Sequence, residues 1–333
     1  MNKEIILEVK DLSVKFDTPE GVVTAVESCD FELGQDEIIA IVGESGSGKT
    51  ITALSIMRLL PSHRSQLISG EIFFKKRDLL KLNESDMRRI RGDQISMIFQ
   101  NPRSSLNPIM SIGKQITEAI LLHQKVSKKE AKIKTIEYLD MVKIPRAKER
   151  MRNYPHQFSG GMCQRVMIAM ALSSSPDILI ADEPTTALDV TIESQILELI
   201  LDLKKEFRSS VILISHDLGV VARMAERVIV MYAGKPVEFG EAEHIFYRSS
   251  HPYTRGLLAS ITSLEGDAGK SITPIGGVPP SPLDLPPGCN FSPRCQFTEE
   301  ICIKNDPILM QVEKDHSAAC HFSSKIDVGK GSA

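Results

Sequence analysis

The chain has 333 residues, of which 42% are apolar and 25% are charged, and its formal net charge is −3. These values are typical of a globular protein with one large and one smaller domain. The slightly acidic balance argues against a protein that binds nucleic acid mainly by attracting phosphates.

No apolar run approaches the ~18 residues that span a bilayer. The opening MNKEIILEVK has too short an apolar stretch for a signal peptide. The sequence therefore predicts a protein that is made and kept in the cytosol. Its six cysteines are then expected to be thiols or metal ligands rather than disulfides.

The N-terminal part predicts short strands around one helix. Residues 5–16 alternate in polarity and predict strand, turn and strand. Residues 37–42 (EIIAIV) are typical of a strand buried on both faces. The stretch GESGSGKT (43–50) follows, then a helix to about Leu60. Residues 70–99 predict short strands with charged loops between them.

The middle of the chain predicts helices. One begins after Pro108, and another covers 127–144, where Ser127 and Glu130 have the spacing of a capping box. Four apolar residues of this second helix recur every three positions and predict one face packed on a core. They are Ile133, Ile136, Leu139 and Val142.

From about Ser159 onward, helices and strands alternate. The predicted strands are 178–182 (ILIAD), 211–215 (VILIS) and 227–232 (RVIVMY), with helices before, between and after them. This order indicates an α/β fold with a mainly parallel sheet covered by helices. The composition changes near residue 250, and seven prolines lie between Pro274 and Pro293. A domain boundary is therefore predicted at 245–255.

A phosphate-binding loop is the strongest motif. Gly43, Gly48, Lys49 and Thr50 fit G-x-x-x-x-G-K-[ST] and lie between a predicted buried strand and a helix. The glycines let backbone N–H groups surround phosphate oxygens, and the helix N-terminus adds positive charge. Lys49 is expected to reach the outer phosphates, and Thr50 to bind Mg²⁺.

Polar residues at the ends of other strands complete this prediction. Asp182 ends ILIAD and is expected to bind Mg²⁺, and Glu183 to orient and deprotonate the attacking water. His216 follows VILIS and can donate to a γ-phosphate oxygen. Gln100 ends ISMIFQ and can reach the metal or the water. Taken alone, Gln100 and the Asp182–Glu183 pair are weak signals, and an ordinary surface histidine is the better interpretation of His216. The phosphate loop in the same chain makes the Asp182–Glu183 pair a strong signal.

The stretch FSGGMCQR (158–165) predicts a second anion site. Ser159 can cap the helix, Gly160 and Gly161 leave backbone N–H groups uncovered, and no carboxylate lies in the first turn. An ordinary capped helix start is the simpler interpretation of this stretch alone.

In this order, the motifs resemble those of the ATP-binding subunits of ABC transporters over residues 5–245. GESGSGKT resembles Walker A, Gln100 the Q-loop, and FSGGM the signature. ILIADEP resembles Walker B, ALD (187–189) the D-loop, and His216 the switch histidine. The resemblance implies a P-loop NTPase with a RecA-like core, an antiparallel β subdomain and a helical subdomain at about 102–172. The nucleotide-binding domain would be 1–248, with a small loop-rich C-terminal extension at 249–333.

A narrower resemblance is to the oligopeptide/dipeptide permease group. It is carried by 99–116, YPHQFSGGM, HPYTRGLL (251–258) and the GC-x5-C tail. It implies an ATPase that drives import of peptides from the cytoplasmic face of the cell membrane. The implied partners are a second, related ATPase, two transmembrane permease subunits and an extracytoplasmic peptide-binding protein, with no nucleic acid.

The resemblance also implies ATP held between two subunits, with each signature helix binding the partner's γ-phosphate. Phe16 would stack on adenine, although a core position is an equal interpretation. Met162 stands where the signature usually has Gln, a change that the permease group tolerates. Cys163 stands where this group usually has Arg, and loss of that cation is expected to weaken attraction for the partner's γ-phosphate only modestly. The residues assigned to the nucleotide are Phe16, Gly43, Glu44, Ser45, Gly46, Ser47, Gly48, Lys49, Thr50, Ile51, Ser159, Gly160 and Gly161.

Four cysteines fall in a 32-residue tail, at Cys289, Cys295, Cys302 and Cys320. Separations of five, six and seventeen residues are too irregular for a zinc ribbon. The spacing alone leaves open a metal or Fe–S site and plain thiols, and the resemblance implies a [4Fe–4S] cluster. Its role as a structural staple or a redox sensor is also open.

Two other classes of protein are alternatives to a transport ATPase. A soluble ABC ATPase acting on DNA or ribosomes would usually carry fused cassettes, long coiled coils or basic arms. A nucleotide-binding regulator without hydrolysis would not need Glu183. The single cassette, the acidic balance and Glu183 favour the transport ATPase.

Overall fold

The computed structural model describes residues 3–60, 66–186, 188–262 and 275–323. These residues form two compact units. The first unit contains Lys3, Gly34–Glu37 and Lys81–Ile214, and the second contains Glu4–Leu33, Ile38–Leu80 and the chain from Ser215 onward.

The strands are β1 (Ile5–Thr18), β2 (Gly21–Gly34), β3 (Ile38–Val42), β4 (Gln66–Phe74), β5 (Arg77–Asp78), β6 (Ile95–Ile98), β7 (Ile178–Asp182), β8 (Ser210–Ser215), β9 (Arg227–Tyr232), β10 (Lys235–Glu241), β11 (Met310–Glu313) and β12 (His316–Ala318). The helices are α1 (Lys49–Ile56), α2 (Glu84–Ile90), α3 (Pro102–Ser105), α4 (Ile112–His123), α5 (Lys128–Met141), α6 (Ala147–Arg150), α7 (Gly160–Leu172), α8 (Val190–Phe207), α9 (Leu218–Met224), α10 (Ala242–Tyr247), α11 (Pro252–Thr262) and α12 (Glu300–Lys304).

The first unit contains a parallel β6–β7–β8 arrangement with helices around it. Ile95 lies opposite Ile178, and Ile178 lies opposite Ser210. Every residue of these three strands is buried. Strands buried on both faces read as continuous apolar runs, which is why ILIAD and VILIS predicted them correctly.

The second unit contains an antiparallel sheet in the order β2–β1–β4–β5. The predicted strand, turn and strand at 5–16 is in fact the single strand β1. Its register with β4 shifts between Lys10 and Ser13, and Asp11 has a φ of 45°. The chain therefore bends at a bulge without leaving the sheet, and this bend is what resembled a turn.

The second unit also contains β3 and β9, which pair in parallel, and β9 pairs antiparallel with β10. At the C-terminal end of the described chain, β12 pairs antiparallel with β10, and β11 pairs antiparallel with β12. Buried Glu238 on β10 accepts hydrogen bonds from the backbone N–H groups of Ser250 (2.5 Å) and His251 (3.2 Å), and it contacts His316 Nε2 at 2.8 Å. One carboxylate therefore fixes the start of α11 and a C-terminal strand to the same sheet.

The predicted buried face of α5 is confirmed at Leu139 and at the C-cap Val142 but is wrong at Ile133, and the predicted start of the helix is confirmed. Ser127 and Glu130 form both bonds of the capping box. Ile133 is 50% exposed, while Ala131 and Thr135 are fully buried. The buried face follows 131, 135 and 139 because Thr117 Oγ1 of α4 is hydrogen-bonded to Thr135 at 2.8 Å. Small residues allow α4 to approach closely here.

Two further predictions near the N-terminus need correction. Residues 70–99 contain helix α2, where loops were expected, and its N-cap Asn83 accepts a hydrogen bond from Asp86 N. Charged residues at 84–89 therefore form a solvated helix face rather than a loop. Helix α1 ends at Ile56, short of Leu60, because Arg58 takes a left-handed φ of 48°.

Among the described residues, none of the helices has the length and apolar character needed to cross a membrane.

Replacing Leu139 by Ala should lower the free energy of unfolding by about 2–5 kcal/mol, because it empties a fully buried position. Replacing the exposed Ile133 by Ala is the matched control and should change it by less than about 0.5 kcal/mol. Urea unfolding monitored by circular dichroism measures both. Equal losses would contradict the assigned face of α5.

Candidate nucleotide and catalytic site

The phosphate loop in the second unit joins β3 to α1, and its backbone leaves no room for side chains at two glycines. Gly43 has a φ of 148°, and a Cβ there would lie 2.2 Å from the carbonyl oxygen of Met231. Gly48 has a φ of 104°, and a Cβ there would lie 2.6 Å from the carbonyl oxygen of Ala25. Glycine is therefore required by close backbone approach as well as by dihedral angle.

Lys49 and Ser47 carry the polar groups expected at a phosphate site. The Lys49 ammonium is nearly buried and donates to the carbonyl oxygens of Gly43 (2.8 Å) and Glu44 (2.9 Å). The buried Ser47 Oγ has no hydrogen-bond partner among the residues that the structure describes. A buried hydroxyl of this kind is expected to have a ligand that completes its bonding. Helix α1 has no acidic residue in its first turn.

Phe16 is half-buried near the end of β1, opposite Gln66 of β4. It does not belong to the buried core. Its stacking on the adenine base stays a prediction.

In the first unit the structure brings Gln100 and Glu183 together. Gln100 Nε2 donates to Glu183 Oε2 at 2.7 Å, and Thr186 Oγ1 donates to the same oxygen at 2.8 Å. Glu183 has a φ of 45°, and its N–H donates to Ile214 O at 2.9 Å. A glutamate in this conformation is strained, and strain of this kind is concentrated at functional sites. Asp182, one residue earlier, is buried at the end of β7.

Thr186 was not among the predicted site residues, although its hydroxyl holds the predicted catalytic carboxylate. The spacing of three residues after Glu183 was a usable signal, because a turn places these two side chains on one side. Ala187, the first residue of the ALD stretch, lies outside the described residues.

His216 follows β8 in the second unit and is exposed. The next residue, Asp217, caps α9 by accepting from the N–H groups of Gly219 (2.7 Å) and Val220 (3.2 Å). This cap fixes the chain directly after His216.

In the first unit, helix α7 begins as the sequence predicted. Ser159 caps it by accepting from Met162 N at 3.3 Å, and its first turn has no acidic residue. A Cβ at Gly161 would lie 2.7 Å from Ile192 Cγ2, so this glycine also serves packing against α8. Cys163 is fully buried and its Sγ donates to Pro155 O at 3.5 Å. Its side chain thus belongs to the core, and burial raises the pKa of its thiol.

The four tail cysteines line one cavity in the second unit. Its other lining residues include His251, Phe291 and Phe297. Burial raises the pKa of Cys289 to about 11, with smaller contributions from the neighbouring cysteines. Burial likewise raises the pKa of Cys295 and Cys320. The other two cysteines, Cys29 and Cys163, are buried elsewhere, as expected of packing residues.

No group of three or more His, Cys, Asp or Glu side chains in the described part of the chain is placed to hold a single metal ion.

Family comparisons agree with this set of motifs. Residues 26–186 match the model of the ABC transporter family, and residues 237–302 match that of the oligopeptide/dipeptide transporter C-terminal region. The chain is 50% identical over 311 residues to the oligopeptide transport ATP-binding protein OppD of Bacillus subtilis, covering 93% of this chain and 87% of the relative. The chain belongs to the ABC transporter family.

Two more relatives extend this ABC family assignment. The dipeptide transport ATP-binding protein DppD of Bacillus subtilis is 50% identical over 95% of this chain and 94% of its own length. OppD of Escherichia coli (strain K12) is 50% identical over 92% of this chain and 90% of its own length. The protein is therefore an ABC-type ATPase, whose nucleotide is ATP with Mg²⁺. Nothing in these comparisons indicates an iron–sulfur cluster.

Solved ABC structures confirm the fold. A dimeric post-hydrolysis state of the ATP-binding cassette MJ0796 bound to ADP and Pi has a TM-score of 0.63 and 26% identity, covering 71% of this chain and 98% of that one. CbiO1 from Clostridium perfringens, described as part of the ABC transporter complex cbiONQ, has a TM-score of 0.62 and 24% identity, covering 79% of this chain and 96% of that one.

Replacing Glu183 by Gln should lower ATP turnover by about a hundredfold or more, because a general base contributes at least that factor. ATP binding should persist, and bound ATP should accumulate. Phosphate release and equilibrium binding measure the two effects. Glu206→Gln, at an exposed position on α8, is the matched control. Unchanged turnover in Glu183→Gln would refute the role assigned to this residue.

Proposed function

We propose that this ABC ATPase energises a membrane importer of dipeptides or oligopeptides. The observation that carries the proposal is the match of residues 237–302 to the oligopeptide/dipeptide transporter C-terminal region, added to the cassette at 26–186. The relatives that are 50% identical to this chain match it over nearly their whole length, and their names describe oligopeptide or dipeptide transport. A DNA- or ribosome-associated ATPase offers no reason for this second region.

The proposed site residues have separate tasks. The phosphate loop binds the triphosphate through backbone N–H groups, Ser47 and Lys49. Glu183 accepts the proton of the attacking water, and its bonds from Gln100 and Thr186 fix the direction of its carboxylate. His216 donates to the γ-phosphate, and Phe16 stacks on the base.

Magnesium suits the proposed donor set. The Thr50 hydroxyl, the Asp182 carboxylate and the Gln100 amide oxygen are hard oxygen ligands of the type Mg²⁺ prefers. Gln100 bonds to Glu183 through its nitrogen, and this leaves the amide oxygen for the metal. When bound, Mg²⁺ neutralises charge on the phosphates.

The proposed working unit is a pair of ATPases with ATP between them. Ser159, Gly160 and Gly161 would then bind the γ-phosphate held by the partner's loop. The uncovered start of α7 and its acid-free first turn support this role. Loss of the γ-phosphate on hydrolysis removes a ligand shared by both faces and shifts the pair towards separation. The resemblance favours a distinct, related chain as the partner.

We place the ATPase peripherally on the cytoplasmic face of the membrane, where two permease subunits and an extracytoplasmic peptide-binding protein complete the importer. A docking position is suggested by the loop that joins α3 to α4 after Gln100. Ile109 in this loop is 83% exposed. A cavity in the same unit is rich in basic residues, namely Lys114, Lys128, Lys132 and Arg152. The next residue after Ile109, Met110, lines this cavity. An exposed apolar side chain beside basic residues suits a short helix with apolar and acidic residues.

Replacing Ile109 by Glu should abolish stimulation of the ATPase by the membrane subunits, because it removes an apolar contact and adds a charge. ATP affinity of the isolated chain should stay within about twofold, since Ile109 is a surface residue. The measurement is ATPase activity in liposomes that contain the permease subunits of a peptide importer. Ile133→Glu, on exposed α5 surface, is the control.

The same liposomes test the main proposal. Adding the peptide-binding protein with a peptide mixture should raise ATP turnover above the level seen without peptide, and Lys49→Ala should eliminate it. Stimulation by DNA or ribosomes, with none by permease subunits and peptide, would overturn the proposal.

A [4Fe–4S] cluster on the four tail cysteines is a finer part of the proposal. It is supported by the single cavity that all four line. Burial, with smaller contributions from the neighbouring cysteines, raises the pKa of Cys289 to about 11, so the positive charge of bound iron would be needed to keep this thiol deprotonated.

Anaerobically purified protein should contain about four iron atoms per chain and absorb broadly near ~400 nm. Cys295→Ser should lose the absorbance, and Cys29→Ala, outside the cavity, should keep it. Colourless protein without iron would remove the cluster from the proposal and leave the transport function untouched.

A further inference from the structure

The C-terminal extension borders the phosphate loop within the second unit. One cavity is lined on one side by loop residues 44–47 and on the other by the proline-rich segment of the extension. The lining residues of that segment are Pro279, Pro280, Pro282 and Leu285. The phosphate loop therefore has a neighbour that lies more than 230 residues further along the chain.

Glu44 is the point of direct contact between them. Its N–H donates to the Tyr253 hydroxyl at 2.9 Å. Its carboxylate accepts two hydrogen bonds from Arg294, at 2.9 Å from Nη1 and 3.2 Å from Nη2. This is the bidentate geometry in which an arginine–carboxylate pair is strongest. Its carbonyl oxygen accepts from Lys49 inside the loop.

Arg294 is itself held firmly. Its Nε donates to Gly276 O at 2.9 Å, and its Nη1 also reaches the Tyr232 hydroxyl at 3.3 Å. The guanidinium lies 5.7 Å from the centre of the Tyr232 ring. Its side chain is only 6% exposed, compared with 27% for Glu44. A charge that is fixed and largely shielded from water acts more strongly on its neighbours than a surface charge does.

The charges of the loop explain why this contact matters. The stretch GESGSGKT contains one acid, Glu44, and one base, Lys49. A loop that binds a triphosphate loses affinity through any uncompensated carboxylate close to it, because like charges repel. Arg294, which lies outside the motif, neutralises the charge of the Glu44 carboxylate.

We propose that Arg294 is a positioning residue for ATP binding. It neutralises the Glu44 carboxylate and holds the start of the phosphate loop in place through that charge pair. The extension thereby contributes to nucleotide affinity, in addition to any role of its cysteines. The pairing does not depend on the transported cargo.

Removal of Arg294 should weaken ATP binding through charge. At low ionic strength Arg294→Ala should raise the Kd for ATP about tenfold, the order expected for one uncompensated charge near the phosphates. Arg294→Lys keeps the positive charge but loses the bidentate contact of the guanidinium, and it should raise the Kd for ATP by less than about threefold. Glu44→Gln removes the repelling carboxylate and should bind ATP more tightly than the natural chain. The double variant Arg294→Ala/Glu44→Gln should recover the affinity that the single arginine variant loses.

The measurement is titration of full-length protein with a fluorescent ATP analogue at low and high salt, followed by the KM and kcat of hydrolysis. The Arg294→Ala defect should shrink at high salt and appear in KM, with kcat within about twofold. Arg248→Ala is the matched control, because Arg248 forms an exposed ion pair with Glu313 at 3.4 Å elsewhere in the same unit.

Three results would overturn the proposal. A double variant as weak as Arg294→Ala would show that the arginine acts structurally and not through Glu44. A defect that is unchanged by salt would contradict a charge effect. Weaker binding by Glu44→Gln would contradict the repulsion. Glu44→Gln and Arg294→Lys keep the test decisive if thermal unfolding shows that Arg294→Ala does not fold.

Discussion

The rest of the site depends on how closely the backbone of the phosphate loop approaches its neighbours. Gly43 faces the carbonyl of Met231 on β9 and Gly48 faces the carbonyl of Ala25 on β2, at distances that exclude any Cβ. The backbones of β9 and β2 therefore fix the position of the loop, and both strands form part of the wall of the site. The buried hydroxyl of Ser47 and the ammonium of Lys49 are positioned by the same enclosure.

Negative charge is arranged consistently around the predicted anion sites. The first turns of α1 and α7 contain no acid, so their N–H groups keep their attraction for phosphate. Glu44 is the exception within the loop, and an almost buried arginine compensates it. Glu183, the proposed general base, accepts hydrogen bonds from the side chains of Gln100 and Thr186, which fix the direction of its carboxylate.

Local signals predicted most of the fold correctly, and they also supplied the residues of the proposed nucleotide site. The apolar runs at β3 and β7, the capping box of α5 and the Ser159 cap each rest on residues close in sequence. The errors arose where distant packing decided the outcome. Ala131 and Thr135 gave no apolar signal for the buried face of α5, and the bulge at Asp11 resembled a turn. The pairing of Glu44 with Arg294 joins residues 250 positions apart, and no local pattern indicates a contact of that kind.

The aromatic packing between the extension and the loop has a practical consequence. The Tyr253 ring packs against those of Tyr232, at 4.6 Å between ring centres, and Phe291, at 5.4 Å, while its hydroxyl accepts the N–H of Glu44. A shortened chain that ends near residue 250 would expose the Tyr232 ring and leave a backbone N–H of the loop without this acceptor. Such a fragment is not a minimal cassette, and its catalytic constants would describe a different loop from the one in the full-length protein.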